Sequence, residues 1–365
     1  MSKVYFVSSR VLKYRGLLRK FEELLDYLKL DFIHKHENVL IKTHFGEDGN
    51  TTFISPMYIR KVSDFVKSKE AHPFVGDTST LYSGRRKEGV THLELAYEHG
   101  FTYSTVNAPV VIIDGLRSNY VYNVETQTKH FTSVQLAGEF VEADSILVMS
   151  HVKGHMIAGM GAAIKNLSMG IGSRTQKQRM HGDVKPQWSQ EECILCDVCV
   201  KTCPEEAISK NDNKIIIDLK KCVGCAECIT KCPTQALEIL WNETPKNLAE
   251  KMAETALATM RIKSDKMFFF NFLINITPDC DCMGWSDNPV INDIGILAGT
   301  DPIALDKASY DLINKQEKLN NSILEKRDGE VFAELHRGID PIHQLKYGEK
   351  IGIGSLDYEL IDLEW

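Results

Sequence analysis

The sequence predicts an α/β fold: a largely parallel sheet covered by helices on both faces, interrupted by a small cysteine-rich module. Three observations point to it. Short β-rich apolar runs alternate with amphipathic segments through residues 1–150, the same alternation resumes near the end of the chain, and eight closely spaced cysteines lie between the two stretches. Sequential βα units favour parallel strands buried on both sides.

The elements follow in order. Residues 4–8 read as a first strand, Leu17–Leu28 as an amphipathic helix, and residues 38–43 as a second strand. Residues 56–66 are expected to be helical, 73–76 a strand, 92–99 a helix and 110–114 a strand, while 122–131 has the alternation of a hairpin. The run Ala143-Asp-Ser-Ile-Leu-Val-Met-Ser is a buried strand ending at His151. After the cysteines, 245–262 carries Leu248, Met252, Thr255, Ala256 and Met260 at helical spacing. Residues 268–276 and 294–298 are expected as core strands, and Asp301-Pro302 opens a helix with proline in its first turn and Asp301 as the N-cap. The last part of the chain holds too few strands for a sheet of its own. One host domain, 1–187 plus 242–365, is therefore expected to be interrupted by a module at 188–241.

Composition narrows the function classes. With 43 % hydrophobic and 25 % charged residues the 365-residue chain is an ordinary globular sequence. A net charge of −7 offers no overall basic field for nucleic acid. The longest apolar stretch, 267–276, contains two asparagines and is too short to span a bilayer, and no signal segment precedes the first strand, so neither membrane nor export is expected. Localisation is expected to be cytoplasmic.

Cys193, Cys196, Cys199 and Cys203, followed by Pro204, form a C-x2-C-x2-C-x3-C-P run, which Cys222, Cys225, Cys228, Cys232 and Pro233 repeat. In such a pair the first three cysteines of each run hold one 4Fe-4S cluster and the fourth ligates the other. Cys193, Cys196, Cys199 and Cys232 are thereby assigned to one cluster, and Cys222, Cys225, Cys228 and Cys203 to the second. Zinc sites need only four ligands, in separated pairs. Residues 191–240 resemble a bacterial-type two-cluster ferredoxin module, and the apolar tails Ala207-Ile208 and Ala236-Leu237 are expected to pack against the clusters. Thiolates of this kind need a reducing and anaerobic cytosol.

The host carries its own candidates. Residues 151–187 hold Lys153, Lys165, Arg174, Lys177, Arg179 and Lys185 against Asp183, a positive island in an acidic chain. Glycine-rich backbone at Gly159 and Gly161, after a strand and before a helix, suits a small anion, with Lys165 and Arg174 as further partners. The dinucleotide fingerprint is not met, because Ile164 stands where its third small residue belongs. Lys177, Arg179 and Lys185 are expected to sit in water. His151, Lys153, His155 and His44 are candidate catalytic groups, and Glu47 and Asp77 also follow strands that converge on one crevice. Cys280 and Cys282, beside Asp279 and Asp281, could hold a further metal or perform redox chemistry. A C-x-C pair is short for a disulfide and nearby carboxylates raise thiol pKa values, so thiols are expected there.

Taken together, Ile41-Lys-Thr-His-Phe-Gly, Gly76-Asp-Thr, His151-Val-Lys-Gly-His, Gly161–Gly172, the inserted module, Cys280-Asp-Cys282 and Asp293-Ile-Gly-Ile-Leu-Ala-Gly-Thr-Asp-Pro resemble a family of uncharacterised iron-sulfur-centre proteins classed as a domain of unknown function. The resemblance implies an α/β host with a two-cluster insertion and supplies no substrate. A fainter similarity, confined to the His151 segment and its helix, is to the lactate-racemase-like superfamily, whose members bind a nickel-pincer nucleotide or act on hydroxy acids; no catalytic residue is carried over from it. The leading expectation is an electron-transfer protein, an oxidoreductase if it is an enzyme, passing electrons from a soluble partner protein through two 4Fe-4S clusters to an acceptor or small anionic substrate. The alternatives are a redox-sensing or metal-assembly protein and a non-redox hydroxy-acid isomerase with structural clusters. Flavin pockets carry no obligatory signature, so that cofactor stays open.

Overall fold

The computed structural model describes the chain apart from residues 83, 183–185, 204, 223–226, 235, 239–243, 325–328 and 364–365, and apart from the side chains of 227, 230, 238 and 264. Pro204, Cys225 and Lys185 thus lie outside the described residues.

The central sheet contains eight strands: β1 (Ser2–Ser8), β2 (Asn38–Lys42), β3 (His72–Asp77), β4 (Val110–Ile112), β5 (Ser145–His151), β6 (Met267–Leu273), β7 (Gly295–Gly299) and β8 (Tyr358–Asp362). Their order is β8-β1-β7-β6-β5-β2-β3-β4, and β7 alone runs against its neighbours. The mostly parallel sheet flanked by helices is the fold class expected. β8 is an addition to the sequence reading, and the second arm of the predicted hairpin starts later, as Val121–Glu125 pairs with Ser133–Ala137.

Alternate residues of the central strands enter two separate cores. Leu40, Ile146, Val148 and Phe269 face helices Ala163–Ser168, Pro245–Lys263 and Pro302–Asn314, while Ile41, Leu147, Met149, Phe270 and Phe272 face helices Leu17–Leu28 and Pro56–Ser68. Phe21 closes the second core with edge contacts to Phe270 and Phe272 at 5.5 and 5.4 Å. Each phenylalanine buried in this way contributes roughly 2–3 kcal/mol. At Gly295, φ is +149° and a Cβ would press on the Val7 carbonyl, so the antiparallel strand can approach β1 only with glycine at this point.

Two aspartates tie layers together. Asp301 caps its helix, as expected, by accepting from Ile303 N–H and Ala304 N–H at 2.9 and 3.1 Å. Asp306, one turn on, accepts from Ala163 N–H and Ile164 N–H at 2.9 Å each and from Asn271 Nδ2 at 2.8 Å. One carboxyl thereby joins helix Pro302–Asn314 to β6 and to the start of helix Ala163–Ser168. Burial raises its pKa to about 6 against those three donors.

The cysteine-rich stretch has its own small core. Strands Gln187–Trp188 and Leu237–Glu238 pair at its two ends, Ile208–Asn211 and Lys214–Ile217 form a hairpin, and helices Val198–Thr202 and Glu227–Lys231 lie side by side. Ala207, Ile208, Ala236 and Leu237 are buried, with Ile208 and Leu237 beside Cys199 and Cys228. Among the described residues no helix is long and apolar enough to cross a membrane.

Replacing Asp306 by alanine strands two buried helix-start N–H groups and should cost on the order of 3 kcal/mol in urea unfolding. A loss below about 1 kcal/mol would contradict the layer-joining role of Asp306.

Candidate functional site

Parallel strands β2, β3 and β5 are neighbours in register, so their carboxyl ends open on one edge of the sheet. Lys42 ends β2, Asp77 ends β3 and His151 ends β5. They line a single cavity of about 460 Å³ together with His44, Glu47, Arg86, Lys153, His155, Gly161, Lys165, Lys177, His181, Cys280 and Cys282. Trp285 and Met156, both half exposed, also line it. The convergence expected for His44, Glu47, Asp77 and His151 is thus present in the fold.

Two buried carboxylates organise the wall. Asp281, fully buried, accepts from His151 Nδ1 at 2.8 Å and from Lys153 Nζ at 3.0 Å. Burial alone would raise its pKa, but the charges of His151 and Lys153 overcome this and hold it well below the usual carboxylate range. His151 Nε2 donates to the carbonyls of Ile274 and Asn275 at 2.8 and 3.1 Å. Both ring nitrogens of His151 are therefore occupied, which makes it a positioning residue for Asp281. Asp77 plays the same part on the other side, taking Lys42 Nζ and Arg86 Nη2 at 2.9 Å each.

The hydrogen bonds sort the cations. Lys42 spends its three donors on Thr43 O, Asp77 Oδ1 and Asn166 Oδ1, and Lys177 spends its own on Thr78 Oγ1, Ser79 O and Gly172 O. Lys153 also donates to the His151 carbonyl at 2.9 Å. The Lys165 ammonium makes no hydrogen bond to any described residue, although it lines the same cavity. Burial, with repulsion from Lys153 behind it, lowers its pKa to about 7. Among the described residues its three side-chain donors meet no protein acceptor.

Two histidines supply neutral groups. His44 Nδ1 accepts from Gly46 N–H at 2.9 Å, and His155 Nδ1 accepts from Ile157 and Ala158 N–H at 3.2 and 3.0 Å. Burial holds both pKa values well below the usual histidine range, so each ring is neutral with its proton on Nε2.

Several expectations are corrected. The helix start after the glycines does not present free N–H groups to an anion, because the Asp306 carboxyl already occupies those of Ala163 and Ile164. Gly159 and Gly161 instead form a short strand paired with Lys153–His155, and Gly161 lines the cavity. Arg174 is buried away from the cavity wall, while Lys177 is enclosed in it instead of sitting in water; its pKa falls to about 8 through burial, partly offset by Asp114 and Asp77. Arg179, also expected in water, lies over the Phe131 ring at 4.8 Å. Cys280 and Cys282 are joined as a disulfide where thiols were expected. A turn closed by Met283 N–H to Cys280 O at 2.9 Å brings their Cα atoms to 5.2 Å, within disulfide reach, and Asp281 between them is engaged by His151 and Lys153. His155, Cys280 and Cys282 place three donor atoms within 4.8 Å of one another.

Arg86 and Asn166 escaped the sequence reading, and so did the part of Lys42. The available signal was a lysine closing strand β2 directly after the buried apolar run 39–41.

In the cysteine-rich stretch, Cys193, Cys196, Cys199 and Cys232 line one small cavity with Trp188, Leu195, Ile215 and Leu237. Burial raises the Cys199 thiol pKa, and the neighbouring Cys232 and Cys196 add to the rise. Cys203 Sγ accepts from Ala207 N–H at 3.2 Å. Helix Arg174–His181 packs beside helix Glu227–Lys231 and carries Lys177 and His181 into the larger cavity. Lys87, next to Arg86, lies within electrostatic reach of both Arg174 and Cys232.

A family model described as Domain of unknown function (DUF362) matches residues 39–311. No curated protein matches the chain. Among solved structures, the lactate racemase apoprotein from Thermoanaerobacterium thermosaccharolyticum aligns over 86 % of this chain and 57 % of its own, at 13 % identity and a TM-score of 0.41. A Thermotoga maritima protein solved by the Northeast Structural Genomics Consortium aligns over 80 % of this chain and 58 % of its own, at 11 % identity and a TM-score of 0.46. The chain spans less than two thirds of the length of either.

Two measurements check the site. Competitive acetylation read by mass spectrometry across pH should show Lys165 reacting with an apparent pKa near 7, while Lys42 stays unreactive. Asp281→Asn should cost about 3–5 kcal/mol of unfolding free energy near neutral pH. Because Asp281 titrates below its unfolded value, that contribution is present above the ordinary carboxylate range and is lost only as pH falls through its depressed pKa.

Proposed function

We propose, from the premise that the chain belongs to the family described as Domain of unknown function (DUF362), that it is a cytoplasmic iron-sulfur oxidoreductase acting on a small anionic substrate. The reading takes the α/β host as residues 1–187 plus 242–365 and the inserted two-cluster module as 188–241. Cys193, Cys196, Cys199 and Cys232 would hold one 4Fe-4S centre, and Cys203, Cys222, Cys225 and Cys228 the other. The donor chemistry fits: four thiols share one apolar-lined cavity, and Cys203 sulfur already takes a backbone N–H. When bound, such centres supply one-electron reducing equivalents, delivered by a soluble partner protein.

The host residues do the rest. Lys165 takes the anionic group of the substrate, His44 and His155 offer Nε2–H donors, and Lys42, Arg86, Lys153 and Lys177 keep the wall positive while tied to protein acceptors. Exclusion of bulk water strengthens each of these interactions.

The observation that carries the reading is helix Arg174–His181. It packs beside helix Glu227–Lys231 of the cysteine-rich stretch, and its Lys177 and His181 line the cavity. This proximity supports a relay between the cysteine-rich stretch and the cavity, which a purely structural module would not require.

A second reading has its own support. Lys165 near neutrality, beside two neutral histidines, is also an acid-base set for a non-redox isomerisation of a hydroxy acid.

Anaerobic purification with iron and sulfide analysis, followed by EPR after dithionite reduction, decides between them. About eight irons per chain and two interacting reduced centres are expected. Centres that bind but resist reduction, together with solvent-deuterium exchange into a hydroxy acid without any electron donor, would favour the isomerase reading.

A further inference from the structure

Cys280 and Cys282 are unused by the anion site, yet they line its cavity. Cys280 is buried, and the turn that holds the pair is clamped at every residue. Tyr82 hydroxyl donates to the Cys282 carbonyl at 3.1 Å, Glu47 N–H donates to the Asp281 carbonyl at 2.9 Å, and the Asp281 side chain is locked by His151 and Lys153. A turn fixed in this way keeps the two sulfurs adjacent whether or not they are bonded. The buried ion pairs around Asp281 thus acquire a purpose, because they hold the backbone between two cysteines that would otherwise separate on reduction.

The neighbouring histidine distinguishes redox chemistry from metal binding. His155 lies with both sulfurs inside a 4.8 Å group, but its Nδ1 is committed as an acceptor to two backbone N–H groups. The ring proton must therefore sit on Nε2, which is a donor. A metal-ligating histidine needs the opposite arrangement, with its second nitrogen donating. A donor N–H is suited to a sulfur acceptor.

We propose that Cys280 and Cys282 form a redox-active dithiol/disulfide couple in the substrate cavity, which accepts two electrons from a low-potential one-electron donor and stores them beside the anion site. Two electrons enter, the S–S bond breaks, and each sulfur takes one proton. Lys165, whose pKa lies near 7, can supply one of these protons, and the other comes from water. Only the source of the electrons rests on the function proposed above.

The test uses the full chain with its centres loaded, under anaerobic conditions. Reduced two-cluster ferredoxin serves as a donor too large to enter the cavity, and methyl viologen reduced to its radical serves as a small one. After quenching with N-ethylmaleimide, mass spectrometry of the peptide containing Cys280 and Cys282 is read alongside EPR of the same sample. No adduct before reduction and two adducts after it are expected. Two adducts before any donor is added, or none after reduction by either donor while EPR shows reduced centres, would overturn the couple; the latter leaves the iron-sulfur reading standing. If EPR finds no centres, the iron-sulfur reading fails on its own, and the methyl viologen sample still decides the couple by its adduct count.

Discussion

Two buried carboxylates, Asp77 and Asp281, are the constraint on which the rest of the site depends. A carboxylate removed from water costs several kcal/mol unless opposite charge and hydrogen bonds compensate it. Asp77 recruits Lys42 and Arg86, and Asp281 recruits His151 and Lys153. These pairs place cationic groups from distant parts of the chain on one cavity wall. The wall then holds Lys177 and Lys165 without a carboxylate directly bonded to either, and the balance is a positive interior in a protein of net charge −7.

The sheet makes this possible. Lys42, Asp77 and His151 come from sequence positions far apart, and only parallel pairing of β2, β3 and β5 brings their strand ends to a common edge. Asp306 fixes the fourth wall by capping the helix that bears Lys165. The same carboxyl consumes the N–H groups of Ala163 and Ile164, and the Lys165 side chain of the same helix lines the cavity. The charges divide: Lys42 and Lys177 spend their donors on the protein, while the Lys165 ammonium has no hydrogen-bond partner among the described residues.

Much of this was legible in the sequence because strand ends are legible. The apolar runs ending at Thr43, Gly76 and His151 marked the edge where the polar side chains gather, and the C-x2-C-x2-C-x3-C-P repeats marked a thiol-rich stretch by spacing alone. The partnerships within the site were not legible. Whether Lys177 lies in water or in a wall depends on which carbonyls surround it, and Thr78, Ser79 and Gly172 belong to two separate segments. The disulfide was misjudged for a similar reason: Asp281 was read as an influence on its neighbouring sulfurs, when its charge is spent on residues about 130 positions earlier in the chain. Local sequence shows which groups are present, and the fold decides which remain free.

The central claim is that the cavity is an anion site governed by Lys165. Calorimetric titration of oxalate into the wild-type protein and Lys165→Gln, between pH 6 and 8.5, tests it most directly. Binding by the wild type should be strongest at pH 6 and weaken as pH rises through about 7, where the ammonium loses its proton, and Lys165→Gln should bind at least tenfold more weakly with no such pH dependence. Equal affinity in the two proteins, or wild-type binding that strengthens above pH 7, would contradict the account.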